Sequence, residues 1–192
     1  MGTECERIIQ EERNSRDRAD RFYNRELKDH LTPVMQSFIK KQHMLFIATS
    51  DADGNCDCSP RFGQAGFVIV QDDHTLAYPE FRGNGVFASL GNINENPSIG
   101  LLFVDFLRTS VGLHVNGRVE RRPPDNGPLP NNELGQRYGV PANTLIEQWV
   151  YVHVDEAYIH CSKHVPKLAT RDKDVHWGTD DKELKSDRFF ID

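Results

Sequence analysis

The sequence predicts a mainly β, α+β fold: a closed or split β-barrel with helices at its ends. Three observations lead there. About seven short stretches alternate apolar and polar residues, or run as brief apolar blocks, at close spacing. Most are joined by hairpin-type turns rather than by helical crossovers, Asp53-Gly54 being the clearest. Helical periodicity is confined to the N-terminal part and a few short inserts. The 192 residues, 38% of them hydrophobic, suffice for one domain with a sizeable core, and no internal repeat or low-complexity tract divides them.

Residues 3–29 are dense in Glu, Arg and Asp, with Ile8, Ile9, Phe22, Tyr23 and Leu27 as the apolar exceptions. They read as one or two amphipathic helices, or as a partly frayed arm that packs onto a partner. Thr32 as N-cap and Pro33 at the first helical position open a clearer helix running to about Gln42. Leu45–Ser50 is the first strand, and Asn55–Ser59 returns after the turn at Asp51–Asn55. Gly66–Val70 and Thr75–Tyr78 are the third and fourth strands.

The stretch Thr75–Asp105 follows as strand, turn, helix, breaker and strand. The turn Pro79–Gly85 holds Arg82 and the triplet Gly83-Asn84-Gly85. Val86–Asn94 reads as a helix with Asn84 at its N-cap, and Ile99–Val104 as a buried strand. Such a turn exposes backbone N–H groups, and a helix start adds positive potential, so an anion, a phosphate above all, is suited to it. Gly-Asn-Gly is equally the chemistry of an ordinary tight turn.

Val111–Glu120 alternates as a strand, with Gly117 marking a bulge or the close approach of another backbone. Arg121–Pro130 is a proline-rich loop. Asn131–Tyr138 and Pro141–Gln148 read as short helices, and Trp149–Val154 and Ala157–Cys161 as the last two strands. Residues 167–192 form a polar tail that ends in Phe189-Phe190.

A formal net charge of −6 argues against general nucleic-acid binding. No apolar run approaches a membrane span, and the first residues have no basic-then-apolar signal pattern, so a cytoplasmic location is expected. The 4 cysteines are then expected as reduced thiols. Cys56, Cys58, Cys161, His160 and His164 lack strong metal-ligand spacing, and no metal site is predicted. G-x-S-x-G, H-E-x-x-H, Walker A and GxGxxG motifs are absent, and no carboxylate pair stands out. What remains for chemistry is the turn at Arg82–Gly85, Arg61 nearby in sequence pattern, and the late histidines 114, 153, 160 and 164.

The ordered motifs SPRFG, GFVIV, TLAYPEFRGN, SLGNINENPSIGLLFVDF, LHVNGRVE and YIHCSKH resemble the pyridoxamine 5′-phosphate oxidase-like FMN-binding split barrels, over about Leu31–Pro166. The resemblance implies a six-stranded split barrel (31–166) between an N-terminal helical arm (1–30) and a C-terminal tail (167–192). It implies a homodimer with FMN in a groove at the interface. Ser59 and Arg61 would lie beside the ribityl chain and phosphate, and Arg82, Asn84 and Gly85 at the phosphate turn, with Ser89 adding a hydroxyl. His114, Asn116 and the Cys161–His164 segment, Lys163 included, would come near the flavin, some from the second chain, and Trp177 would close over the ring system. Two departures stand out. Gly85-Val86 replaces basic residues that many relatives carry. The ending FFID lacks the arginine-bearing pattern of the true vitamin B6 oxidases, so pyridoxal phosphate synthesis is not expected.

The resulting expectation is an FMN-binding flavoprotein and oxidoreductase of a small molecule, with the cofactor doing the redox chemistry. Its rivals are a flavin-binding or sensing module without turnover, the same barrel holding heme through His160 or His164 or holding a deazaflavin, and a dimeric barrel with an empty groove.

Overall fold

The computed structural model describes residues 2–129 and 146–170, with single positions 133, 136, 175 and 181. Seven antiparallel strands form one sheet: β1 (Met44–Ser50), β2 (Cys56–Phe62), β3 (Ile69–Val70), β4 (Thr75–Phe81), β5 (Ser98–Val104), β6 (Gly112–Arg122) and β7 (Ile146–His160). Their order is β2-β1-β5-β6-β7-β4-β3, and the sheet is not closed. This is the mostly antiparallel architecture expected of a split barrel, with seven strands where six were expected, because the short hairpin strand β3 joins the sheet beside β4. Among the described residues four α-helices are fully bounded: α1 (Glu4–Glu12), α2 (Arg16–Arg25), α3 (Pro33–Ile39) and α4 (Ala88–Glu95).

Period-2 alternation decides which side chains face inward. Leu45 and Ile47 of β1, Ile99, Leu101 and Phe103 of β5, and Leu113 and Val115 of β6 do so. They meet Val150, Val152 and Val154 of β7 and Leu76 and Tyr78 of β4 in one core. Met35 and Ile39 of α3, and Leu90 and Ile93 of α4, close it. Thr32 caps α3 as expected, its Oγ1 accepting from the Met35 N–H. A second cluster of Ala77, Ile146, Trp149 and Tyr151 sits on the other face of β4 and β7. The arm docks on its own chain. Phe22 of α2 packs edge-on against Tyr158 at 5.3 Å, and Lys28 and Ala157 exchange both backbone hydrogen bonds.

Several boundaries differ from the sequence reading. The last two strands are one 15-residue strand, continuous through Asp155 and Glu156, whose charge had broken the apolar pattern. Ile146–Gln148 open that strand instead of ending a helix. The third strand shrinks to two residues, because Gly63 and Gly66 turn the chain back onto Gln42 and His43. The expected helix 131–138 falls almost wholly outside the described residues. Gly117 holds both features expected of it. The β6–β7 register shifts between Asn116 and Gly117, leaving Asp155 as the extra residue on β7. A Cβ built on Gly117 would lie 2.1 Å from the His153 carbonyl oxygen.

Candidate cofactor site

The core is polar at one place. On β2 the inward positions are Asp57, Ser59 and Arg61, which pair in register with the buried Thr49, Ile47 and Leu45 of β1. On β4 the inward series Leu76, Tyr78 continues to Glu80. The two strands belong to opposite ends of the sheet order, and Arg61 spans the gap: its Nε donates to Glu80 Oε2 at 2.8 Å, with both side chains 14% exposed. Arg61 Nη1 donates to Ser59 Oγ at 2.9 Å and to the Pro60 carbonyl at 3.0 Å. Burial raises Glu80 above the usual carboxylate range, outweighing the opposing pull of Arg61. Burial, then the nearby Glu80 charge, also pushes the Tyr78 phenol far up; its hydroxyl is buried without a hydrogen-bond partner.

Asp57, Ser59, Arg61 and Glu80 line a cavity of about 420 Å³ roofed by the turn Gly83–Phe87 and the first turn of α4. The helix starts later than its sequence signals indicate. Asn84 is not the N-cap: its Oδ1 accepts from the Val86 N–H at 3.0 Å within the turn, a local competition typical of Asn. Phe87 takes the cap position in a left-handed conformation, φ 55°, and no side-chain hydrogen bond caps the helix there. Gly85 is left-handed too, φ 78°, where a side chain would be strained. Ser89 is buried, and its Oγ donates to Asp57 Oδ2 at 2.8 Å.

Five of the expected site residues therefore share one cavity: Ser59, Arg61, Asn84, Gly85 and Ser89. Arg82 does not line it. Its Nε donates to Glu147 Oε1 at 2.8 Å; the β4–β7 register shifts between Glu80 and Phe81, skipping Glu147, so the alternation that turns Glu80 inward does not carry on to Arg82. His114 is elsewhere as well. It lies on the outer face of β6, stacked on Tyr158 with ring centroids 4.5 Å apart, and its Nε2 is 3.4 Å from His160 Nδ1. Burial first, then the neighbouring His160, holds His114 below the usual imidazole range. Lys163 lies in an exposed 3-10 turn, Ser162–His164, just past β7. Within one chain the cavity group and the His114 group occupy opposite faces of the sheet. Trp177 lies outside the described residues.

The sequence reading missed Asp57 and Glu80. For Asp57 the signal was available: Asp57, Ser59 and Arg61 form a period-2 series opposite the buried Thr49, Ile47 and Leu45. The cysteines are all free and exposed, and no cluster of three or more metal-ligating side chains occurs among the described residues. A larger apolar groove of about 690 Å³, lined by Val34, Phe38, Val104, Leu107 and Leu168 among others, contains none of the expected site residues. No described helix is long and apolar enough to cross a membrane.

Comparison with known proteins places this geometry in a family. HupZ of Group A Streptococcus superposes with a TM-score of 0.51 at 23% identity, covering 72% of this chain and 98% of that one. A conserved hypothetical protein of Mycobacterium tuberculosis gives 0.50 at 12% identity, covering 75% and 95%. At such identities the likeness concerns the fold alone. No curated protein matches the sequence. The family model described as pyridoxamine 5′-phosphate oxidase matches residues 31–160, from the buried Leu31 to the end of β7. Spanning well over half of the chain, that match shows that the protein belongs to the pyridoxamine 5′-phosphate oxidase family.

Proposed function

We propose that this protein is a homodimeric flavoprotein that holds the phosphate of FMN in the cavity between β2, β4 and α4 and serves as an oxidoreductase toward a small molecule. The observation that carries the reading is the donor set of that cavity. Arg61, the hydroxyls of Ser59 and Ser89, and the turn around Asn84 and Gly85 converge beneath the start of α4. A guanidinium and fixed N–H groups at a helix start suit a phosphate. The donors fit the group, and two carboxylates, Asp57 and Glu80, temper the fit because they already engage Ser89 and Arg61.

When bound, FMN supplies the redox chemistry. The protein's part is to bind and orient it. Arg61 and the turn hold the phosphate end, and Ser59 lies one inward position away for the ribityl chain. In the dimer, His114 and the Lys163 turn on the outer face of the second chain would be the groups that meet the flavin. Burial and the neighbouring His160 hold His114 below the usual imidazole range in the single chain, which favours its neutral, hydrogen-bonding form.

The dimer rests on the outer sheet face. The row Pro60, Phe46, Leu102, His114 and Tyr158 runs across five strands in register, with Phe62 beside it 45% exposed. The apolar character of Trp149–Val154, by contrast, is used up within its own chain, where all six residues but His153 are buried. Light scattering at low micromolar concentration is expected to give twice the 22.0 kDa chain mass, and Phe46→Glu is expected to give a folded monomer. A wild-type monomer removes the interface and the two-chain site together.

The test of the reading is titration with FMN and with riboflavin, followed by the visible spectrum. FMN is expected to bind with flavin bands shifted from those of the free cofactor, and at least tenfold tighter than riboflavin, about the contribution of one charge-assisted hydrogen bond. A protein that purifies with a Soret band, and loses it on replacement of His160 or His164, has instead taken the heme alternative.

A further inference from the structure

We propose that Glu80 is the resident occupant of the anion site, and that FMN takes Arg61 only when Glu80 takes up a proton from solvent. This rests on the flavin reading above and adds a residue that sets which ligand charge the cavity accepts. The geometry is specific. Arg61 has five N–H donors; Nε is held by Glu80, and Nη1 by Ser59 and the Pro60 carbonyl. A phosphate can use Nη2, or it can displace Glu80 from Nε for a two-point grip. Either way a dianion arrives within one guanidinium's width of a carboxylate that is 14% exposed. Like charges at that distance in a poorly hydrated site disfavour joint ionisation.

Glu80 is the group able to yield. Burial already inclines it toward the neutral acid. The groups around it do not compete for the role. Arg61 is its only cationic neighbour on β2. Tyr78, on its own strand, is already held neutral. Gln148, opposite on β7, is uncharged, and the Arg82–Glu147 pair is satisfied outside the cavity. Asp57, on the far side of Ser59, accepts the Ser89 hydroxyl and serves as the control carboxylate. Protonated Glu80 can then donate to the phosphate instead of repelling it.

The experiment measures FMN and riboflavin affinity from pH 7 to 8.5 for the wild type, Glu80→Gln and Asp57→Asn. It adds calorimetry of the wild type in buffers of different ionisation enthalpy. The FMN phosphate, with its second pKa near 6, is already a dianion across this range. Uptake of one proton predicts that FMN affinity of the wild type falls about tenfold from pH 7 to 8, while riboflavin affinity stays flat. Calorimetry should find close to one proton taken up per FMN. Glu80→Gln should flatten the profile and bind FMN about tenfold or more tighter at pH 8.5, and Asp57→Asn should keep the wild-type slope. A flat wild-type profile with no proton uptake overturns the proposal, whether or not Glu80→Gln folds. So does a Glu80→Gln variant that keeps the slope. FMN that fails to bind at any pH overturns the flavin reading and this inference with it, whereas pH-independent binding leaves the flavin reading intact.

Discussion

Gly117→Ala is expected to cost about 3 kcal/mol of stability and Gly117→Val more, with little change in cofactor affinity for the molecules that remain folded. The cause is a backbone. The added Cβ falls 2.1 Å from the His153 carbonyl oxygen, 2.9 Å from its carbon and 3.1 Å from Val152 Cγ1. A flexible side chain would rotate away from such a clash; a carbonyl held in the β6–β7 ladder cannot. Relief requires β6 and β7 to separate where the register already shifts around Asp155. That strains Val115 and Val154, both in the core. For a domain of this size the loss corresponds to about 6–12 °C in melting temperature, read by calorimetry of the apo protein. An unchanged melting temperature with weakened FMN binding would make Gly117 a site residue instead. The sequence marked this glycine only by its place inside an alternating strand; the carbonyl that excludes a side chain comes from a strand 36 positions away in sequence.

That contrast describes what local pattern can carry. Strand identity, hairpin turns, the Thr32-Pro33 helix start and the antiparallel architecture were legible because each depends on neighbours within a few residues. The join of Trp149–Val154 to Ala157–Cys161 was not, because Asp155 and Glu156 look like a turn until the Lys28 backbone is seen bonded to Ala157. The start of α4 was misplaced for a similar reason. Asn84 has the chemistry of an N-cap, and only the fold shows it bonding inside the turn while the helix begins at Ala88. For the site, five residues that the family resemblance named, Ser59, Arg61, Asn84, Gly85 and Ser89, line one cavity. Arg82 was placed at the phosphate turn both by its charge and by the resemblance, and neither registers its partner Glu147, which lies 65 residues on. Glu80 escaped notice because a glutamate near a turn ordinarily reads as solvated surface. Its inward position follows only from extending the strand to Phe81.

Arg61→Ala is expected to weaken FMN binding about 10- to 100-fold while leaving riboflavin nearly unchanged, and to destabilise the apo protein as well. The first effect follows from the one guanidinium among the cavity's described residues: a charge-assisted hydrogen bond contributes about 1.5–3 kcal/mol. Glu80 tilts that range with pH. At pH 8 Arg61 gives up an ionised partner to receive the phosphate, so its net contribution, and the loss on removing it, lies near the lower end. Near pH 7 Glu80 is more easily neutralised and the loss approaches the upper end. Arg82→Ala, whose side chain engages Glu147 outside the cavity, is expected to change FMN affinity by less than about threefold, since it removes only a screened, partly exposed charge. The second effect follows from the position of Arg61 between β2 and β4, strands from opposite ends of the sheet order. Removing one partner of a well-buried pair costs about 3–5 kcal/mol. Here both partners keep some exposure and Glu80 can protonate, so about 1–2 kcal/mol is expected near pH 7. The sign of its pH dependence is fixed. A carboxyl raised in the folded state favours folding most when protonated, so the deficit of Arg61→Ala should grow as pH rises through the Glu80 titration and shrink in acid. Denaturant unfolding of wild type and variant at pH 5 and pH 8 measures it. Equal losses of FMN and riboflavin, with a stability deficit that ignores pH, would show that Arg61 holds the two strands together and does not bind the phosphate.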